Sequence, residues 1–159
     1  MITVQVTTDE ITAALTRAAD ALDDLDPLLR DIGEYLVRAT NEGFVQGQAP
    51  DGTPWASRSQ ATLDAYRARG DTPGPGPLIG PSRSLSTTIS YEVEGDAITW
   101  GSNMIYAAVM QMGATRGQFG STSRGSPIPW GDIPPRPFLG VGPEDEAAIL
   151  DIVAEALGL

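Results

Sequence analysis

Cysteine, histidine and lysine are all absent from this chain of 159 residues. Without cysteine there is no disulfide, no thiol nucleophile and no thiolate-held zinc or iron–sulfur centre. Without histidine the commonest general base and the commonest metal ligand are gone. All 10 basic residues are arginine, so Schiff-base chemistry and the phosphate-gripping lysine of a P-loop are excluded as well. Carboxylates, hydroxyls and guanidinium groups are what remain. Long apolar runs are missing too: no stretch approaches the roughly 18 residues of a membrane span. The opening residues, MITVQVTTDE, lack the basic and apolar blocks of a secretory leader, so none is expected there.

What the chain does have is acid. Asp and Glu number 21, giving a net charge of −11. Such an excess argues against a broad nucleic-acid-binding face, because that affinity comes mostly from neutralised phosphates. It argues equally against anionic membrane surfaces. A hydrophobic content of 41% is enough for a core, and the length fits one domain over 1–159. The 18 glycines and 13 prolines require many turns or extended arms.

Residues 2–6 alternate apolar and polar, which predicts a short strand. Thr7-Thr8-Asp9-Glu10 reads as a capping box with Thr7 as the cap. Ile11, Leu15, Ala18, Leu22 and Leu25 then form one stripe on a helix over about 8–25. Asp26-Pro27 restarts the pattern with Leu29, Ile32, Leu36 and Ala39, a second helix closing near Gly43. The two helices read as one bent rod or as an antiparallel pair. Residues 44–60 predict an ordered loop around Trp55, and 59–69 a short helix. The Pro/Gly run at 70–84 predicts a flexible connection. Strict alternation from Leu85 to Val93 predicts a strand, with Gly95-Asp96 as a two-residue turn and Ala97–Trp100 as the return. Met104–Met112 predicts a short buried helix capped at Gly113. A long Gly/Ser-rich loop over 114–132 and a helix opened by Pro143-Glu144-Asp145-Glu146 complete the chain. The fold class is α+β.

Most charged clusters read as ordinary surface. Asp20, Asp23, Asp24 and Asp26 lack the spacing of a calcium loop and predict a solvated helix face. Glu92 and Glu94 share a strand face, as a glycosidase pair might, but flank a turn where exposed charge is common. Hence no catalytic residue, metal ligand or cofactor is expected. Phe119 and Trp130 stand out, being large aromatics inside a polar loop, where they suit a protein–protein contact. The loop should be mobile in the isolated subunit and ordered in an assembly. Pro134, Pro135 and Pro137 stiffen the segment that carries Arg136 and Phe138. Phe138 is expected to plug a pocket between the sheet and a helix. Arg136 is expected to face the other way, toward a carboxylate.

Four stretches together resemble the virion-morphogenesis, or tail-completion, family of Mu-like tailed phages. Asp51-Gly52-Thr53-Pro54-Trp55-Ala56 is similar to the family's Asp-Gly-x-x-Trp turn. Leu85-Ser86-Thr87-Thr88-Ile89 is similar to its Leu-x-x-Ser-Ile. Trp100-Gly101-Ser102-Asn103, with Tyr106 through Gln111 to Gly113, resembles its Val-Gly-Ser…Tyr-Ala-x-x-His-Gln-x-Gly. Ile133-Pro134-Pro135-Arg136-Pro137-Phe138-Leu139-Gly140 resembles its Ile-Pro-Ala-Arg-Pro-Phe-Leu-Gly. Two departures occur: Ser82-Arg83-Ser84 replaces Thr-Gly-Arg, and Met110 replaces the His, so no proton chemistry is required there.

The resemblance implies a small α+β subunit that assembles into a ring in the neck of the virion. It would close the tail and help join it to the head connector, after assembly in the host cytoplasm. Its partners would be itself and the neighbouring neck, connector and tail-tube proteins. An acidic lumen would enclose DNA without gripping it. The anchors singled out are Trp55, Tyr106, Gln111, Phe119, Trp130, Arg136 and Phe138. The competing readings are a carboxylate-dependent hydrolase of the particle and a monomeric acidic inhibitor of a host protein.

Overall fold

The structure is a computed structural model that describes residues 2, 4–5 and 8–159. It is α+β: among the described residues, helices and one two-stranded antiparallel sheet, against which the second helix packs, make the fold. Helix α1 spans Asp9–Ala21 and α2 spans Asp26–Gln46. Thr8, not Thr7, caps α1, its hydroxyl accepting from the Ile11 amide at 3.2 Å. Thr7 lies outside the described residues, as do Thr3 and Val6 of the strand expected over 2–6. Of that strand, Ile2 donates its amide to the Ser102 carbonyl at 3.3 Å, and Ile2 and Val4 pack on the core.

α2 is the central element. It packs against the C-terminal helix α6, Pro143–Ala156, and against both strands. α1 also packs on α6, so the first two helices share a partner while an extended Leu22 breaks the rod between them. α2 runs on past Gly43 to Gln46, and Gly47, at φ +73°, supplies the left-handed cap. The helix continues because Phe44, fully buried, adds a large side chain to its inner face. The hydroxyl of Tyr35 on α2 donates to Asp145 Oδ1 on α6 at 2.8 Å, and Oδ2 of the same carboxylate accepts from the Gly142 amide at 2.8 Å.

The hairpin is β1, Ser90–Glu94, and β2, Ala97–Gly101, closed by Gly95-Asp96 with Tyr91 opposite Trp100. Its outset is shorter than the alternation predicts. Leu85 and Thr87 lie in a one-turn helix, α4, Ser84–Thr87. Leu85 and Ile89 are both buried, and a spacing of four serves a helical turn as well as a strand. The Tyr91 ring covers Gly33 of α2 so closely that a Cβ there would fall 2.3 Å from it.

Helix α3, Gln60–Arg69, forms behind a Ser59 cap. Residues 70–84, expected as a flexible connection, fold back on the body of the chain, burying Leu78 and Ile79. One Arg58 nitrogen donates to the carbonyls of Gly74, Gly76 and Ile79. Helix α5, Ala107–Met112, is shorter and less buried than expected: Ala107 is enclosed, while Met112 is exposed.

Candidate functional site

Three of the motif segments, far apart in sequence, meet in one knot around Phe44. The first is the loop after α2. The Asp51 carboxylate accepts from the Thr53 amide at 2.9 Å, which holds its pKa below the ordinary value, and Trp55 donates its amide to the Gly47 carbonyl at 2.8 Å. That turn drives the Trp55 indole edge-on against Phe44, with ring centres 5.8 Å apart. The indole N–H then donates to the Pro137 carbonyl at 2.8 Å. Phe138 also packs on Phe44, the two rings tilted by 41° with centres 5.3 Å apart. The plug therefore packs against the end of α2.

Gln111 on α5 ties the third segment in. Its Oε1 accepts from the amides of Phe138 and Leu139 at 2.9 and 3.0 Å, and its Nε2 donates to the Leu139 carbonyl at 3.0 Å. The side-chain amide thus imitates a neighbouring strand. Arg136 adds a fourth tie, its amide donating to the Met110 carbonyl at 2.8 Å.

Arg136 does not face away from Phe138. In extended backbone, positions i and i+2 share a side, and here Arg136 and Phe138 both point inward while Pro135 and Pro137 are exposed. Its guanidinium finds no carboxylate. Nε donates to the Ala56 carbonyl at 2.7 Å and a terminal nitrogen to the Ser57 carbonyl at 2.9 Å. Burial, and secondarily the nearby Arg58, pull its pKa below the ordinary value. The planar fork matches two successive carbonyls as well as it matches a carboxylate.

The knot is the foundation of an arm. Gly113, at φ +74°, ends α5 where a Cβ would meet the Ile133 carbonyl at 2.7 Å, so only glycine lets the two feet close. Ala114 and Ile133 exchange amide–carbonyl hydrogen bonds at 2.9 and 2.7 Å. Between them, residues 114–132 fold on themselves as an irregular ribbon rather than an open loop. Gly117 donates to Pro129, Phe119 to Ile128, and Thr122 to Ser126. The ribbon has little core of its own: Phe119 is 54% and Trp130 86% exposed. It carries Arg116 and Arg124 in a chain otherwise rich in acid, and its Asp132 carboxylate accepts from the Arg116 amide at 2.8 Å.

The remaining anchor, Tyr106, precedes α5 and lines a cleft of about 500 Å³ with Arg58, Tyr66 and Arg136. So the structure gathers Trp55, Gln111, Arg136 and Phe138, sets Tyr106 beside them, and holds Phe119 and Trp130 apart on the arm. The sequence reading missed Phe44, although Leu36, Thr40 and Phe44 continue the stripe of α2 at spacing four. Arg58 carried no signal, because its partners are backbone carbonyls. Among the described residues, no group of three or more acidic side chains is placed to hold a metal ion. No helix among them is long and apolar enough to cross a membrane.

A model of the phage virion morphogenesis family matches residues 6–158. The Mu-like prophage FluMu G protein 2 of Haemophilus influenzae is 31% identical over 146 residues, covering 92% of this chain and 88% of the relative. The putative capsid assembly protein G of Escherichia phage Mu is 29% identical over 140 residues, covering 84% of this chain and 83% of the relative. No solved structure matches the chain.

Proposed function

Because the chain belongs to the phage virion morphogenesis family, we propose that it is a neck or tail-completion subunit that acts in a homo-oligomeric ring, without enzymatic activity. In that role it closes the tail and helps join it to the head connector. The observation that carries this reading is the arm. A ribbon with Trp130 and Phe119 in solvent, rooted in a knot that buries Phe44, Trp55 and Phe138, presents anchors outward on a fixed base. Exposed aromatics beside arginine are the usual energetic centres of protein interfaces. The net charge of −11 suits the wall of a conduit that passes DNA without holding it.

Hydrolysis is the weaker reading. Glu92 and Glu94 are exposed beside the hairpin turn, where a substrate would find little to hold it. A capsid-assembly role, which the name of the phage Mu relative suggests, predicts a different defect. The test is a particle lacking this protein. Filled heads and separate complete tails are the expected products, with the wild-type protein located at the neck by electron microscopy. Absent or malformed heads would overturn the neck reading. Hydrogen exchange should also show residues 114–132 better protected in the assembly than in the isolated subunit.

A further inference from the structure

We propose that the arm of one copy docks in the groove between α2 and β1 of the next copy; this rests on the ring reading above. A ring built by rotation needs a head-to-tail contact, in which two different patches of the same chain meet. The arm is one such patch. The second must lie elsewhere and complement it.

The groove meets both conditions. It is a shallow, open groove of about 780 Å³, with Val37 and Val45 of α2 and Ile89 and Tyr91 of the hairpin segment as its apolar walls. None of its lining residues belongs to the arm or to the cleft at the arm's root. Val45 is 59% exposed, an unpartnered apolar side chain on the helix that otherwise anchors the core. The size suits one or two large side chains, and an indole brings both apolar area and a donor.

Charge selects the arm as the occupant. Glu34 and Glu42 stand on the rim of the groove, while Arg38, the cation there, lies 5.5 Å from the centre of the Tyr35 ring on its own helix. On the arm, Arg116, Arg124 and Trp130 line one concavity. The tip therefore offers an aromatic flanked by cations to an apolar slot flanked by carboxylates. Opposed charges of this kind fix the register of an interface and repel wrong pairings, here tip against tip.

The absence of cysteine makes the test direct. Val45→Cys and Gly131→Cys place single thiols in the groove and beside Trp130, and both sites are on the surface. Co-expressed and oxidised, the two variants should give a cross-linked dimer that contains one of each, with neither variant cross-linking to itself. In parallel, Glu42→Arg should lower ring association at least tenfold by sedimentation, and adding Arg124→Glu to the same chain should restore it. Rings that form without the mixed cross-link, or a Val45→Cys chain that pairs with itself, would overturn the docking site while leaving the ring. A wild-type chain found only as a monomer, in solution and in particles, would remove the ring reading and this inference with it.

Discussion

Gln111 holds the backbone of Phe138 as a strand would: its Oε1 takes the Phe138 amide at 2.9 Å and the Leu139 amide at 3.0 Å, while its Nε2 returns a bond to Leu139. Phe138 and Leu139 are both buried, so water cannot replace those contacts. Gln111→Leu should therefore cost about 3 kcal/mol or more, since it strands three groups at roughly 1–3 kcal/mol each. Gln111→Glu keeps the double acceptor but turns the bond to the Leu139 carbonyl into an oxygen–oxygen contact, so it should recover only part of that loss. Urea midpoints of the three proteins check this ranking. A leucine variant as stable as wild type would show that the amide does not hold the segment.

Arg136 belongs to the interior of its own subunit, so Arg136→Ala should melt early rather than leave a sound monomer that fails only in assembly. Its two carbonyl bonds from a charged donor predict a loss of about 2–4 kcal/mol. Arg136→Lys should recover little, because one ammonium cannot reproduce the fork that spans Ala56 and Ser57. Thermal unfolding of the isolated chain distinguishes these outcomes. An alanine variant with wild-type melting and defective joining would return Arg136 to the interface.

Gly33 makes the opposite of the usual helix prediction. Alanine in a helix interior normally gains about 1 kcal/mol over glycine. Here the added Cβ would sit 2.3 Å from the Tyr91 ring, and overpacking of that kind costs about 1–3 kcal/mol or more. Gly33→Ala should be destabilising in the wild type and neutral or stabilising in a Tyr91→Leu background. A double-mutant cycle measures the coupling; additivity would show that the ring and the helix do not press on one another.

The Tyr35–Asp145 bond predicts a slope of stability at alkaline pH. Desolvation first, then the bond to Asp145, pushes the tyrosine hydroxyl up to about 12 from its ordinary 10. The folded state thus keeps a proton that the unfolded state releases. The stability from this pair is complete below pH about 10, and is lost as pH rises from there through about 12. Tyr35→Phe should flatten that part of the curve. An unchanged slope in the variant would assign the alkaline loss to other groups.

The sequence was most legible where local chemistry decides structure. Ser59 marks the start of α3, Gly95-Asp96 the hairpin turn, and Pro143 with its acids the start of α6. It misled where tertiary burial outweighs a local signal. Gly43 reads as a stop, yet the burial of Phe44 carries α2 on to Gln46. Leu85 and Ile89 fit both periods, and packing chose the helical turn. The candidate site was legible as separate motifs but not as a constellation. Trp55 and Pro137 are 82 residues apart, and no pattern in either segment names the other. Arg136 was read by the charge it carries, whereas the fold uses the geometry of its donors.

The feet of the arm, Ala114 and Ile133, face each other across one pair of hydrogen bonds, although the ribbon between them is long. The bonds that hold the knot below, from Trp55 to Pro137, from Phe138 to Gln111 and from Arg136 to Ala56, are all made outside that ribbon. The entropy of closing such a segment grows only by about 0.6 kcal/mol for each doubling of its length. The arm is thus an exchangeable cassette. Lengthening it, shortening it or giving it another tip would leave the body of the chain unchanged, so a lineage could retune what the tip presents without redesigning its fold.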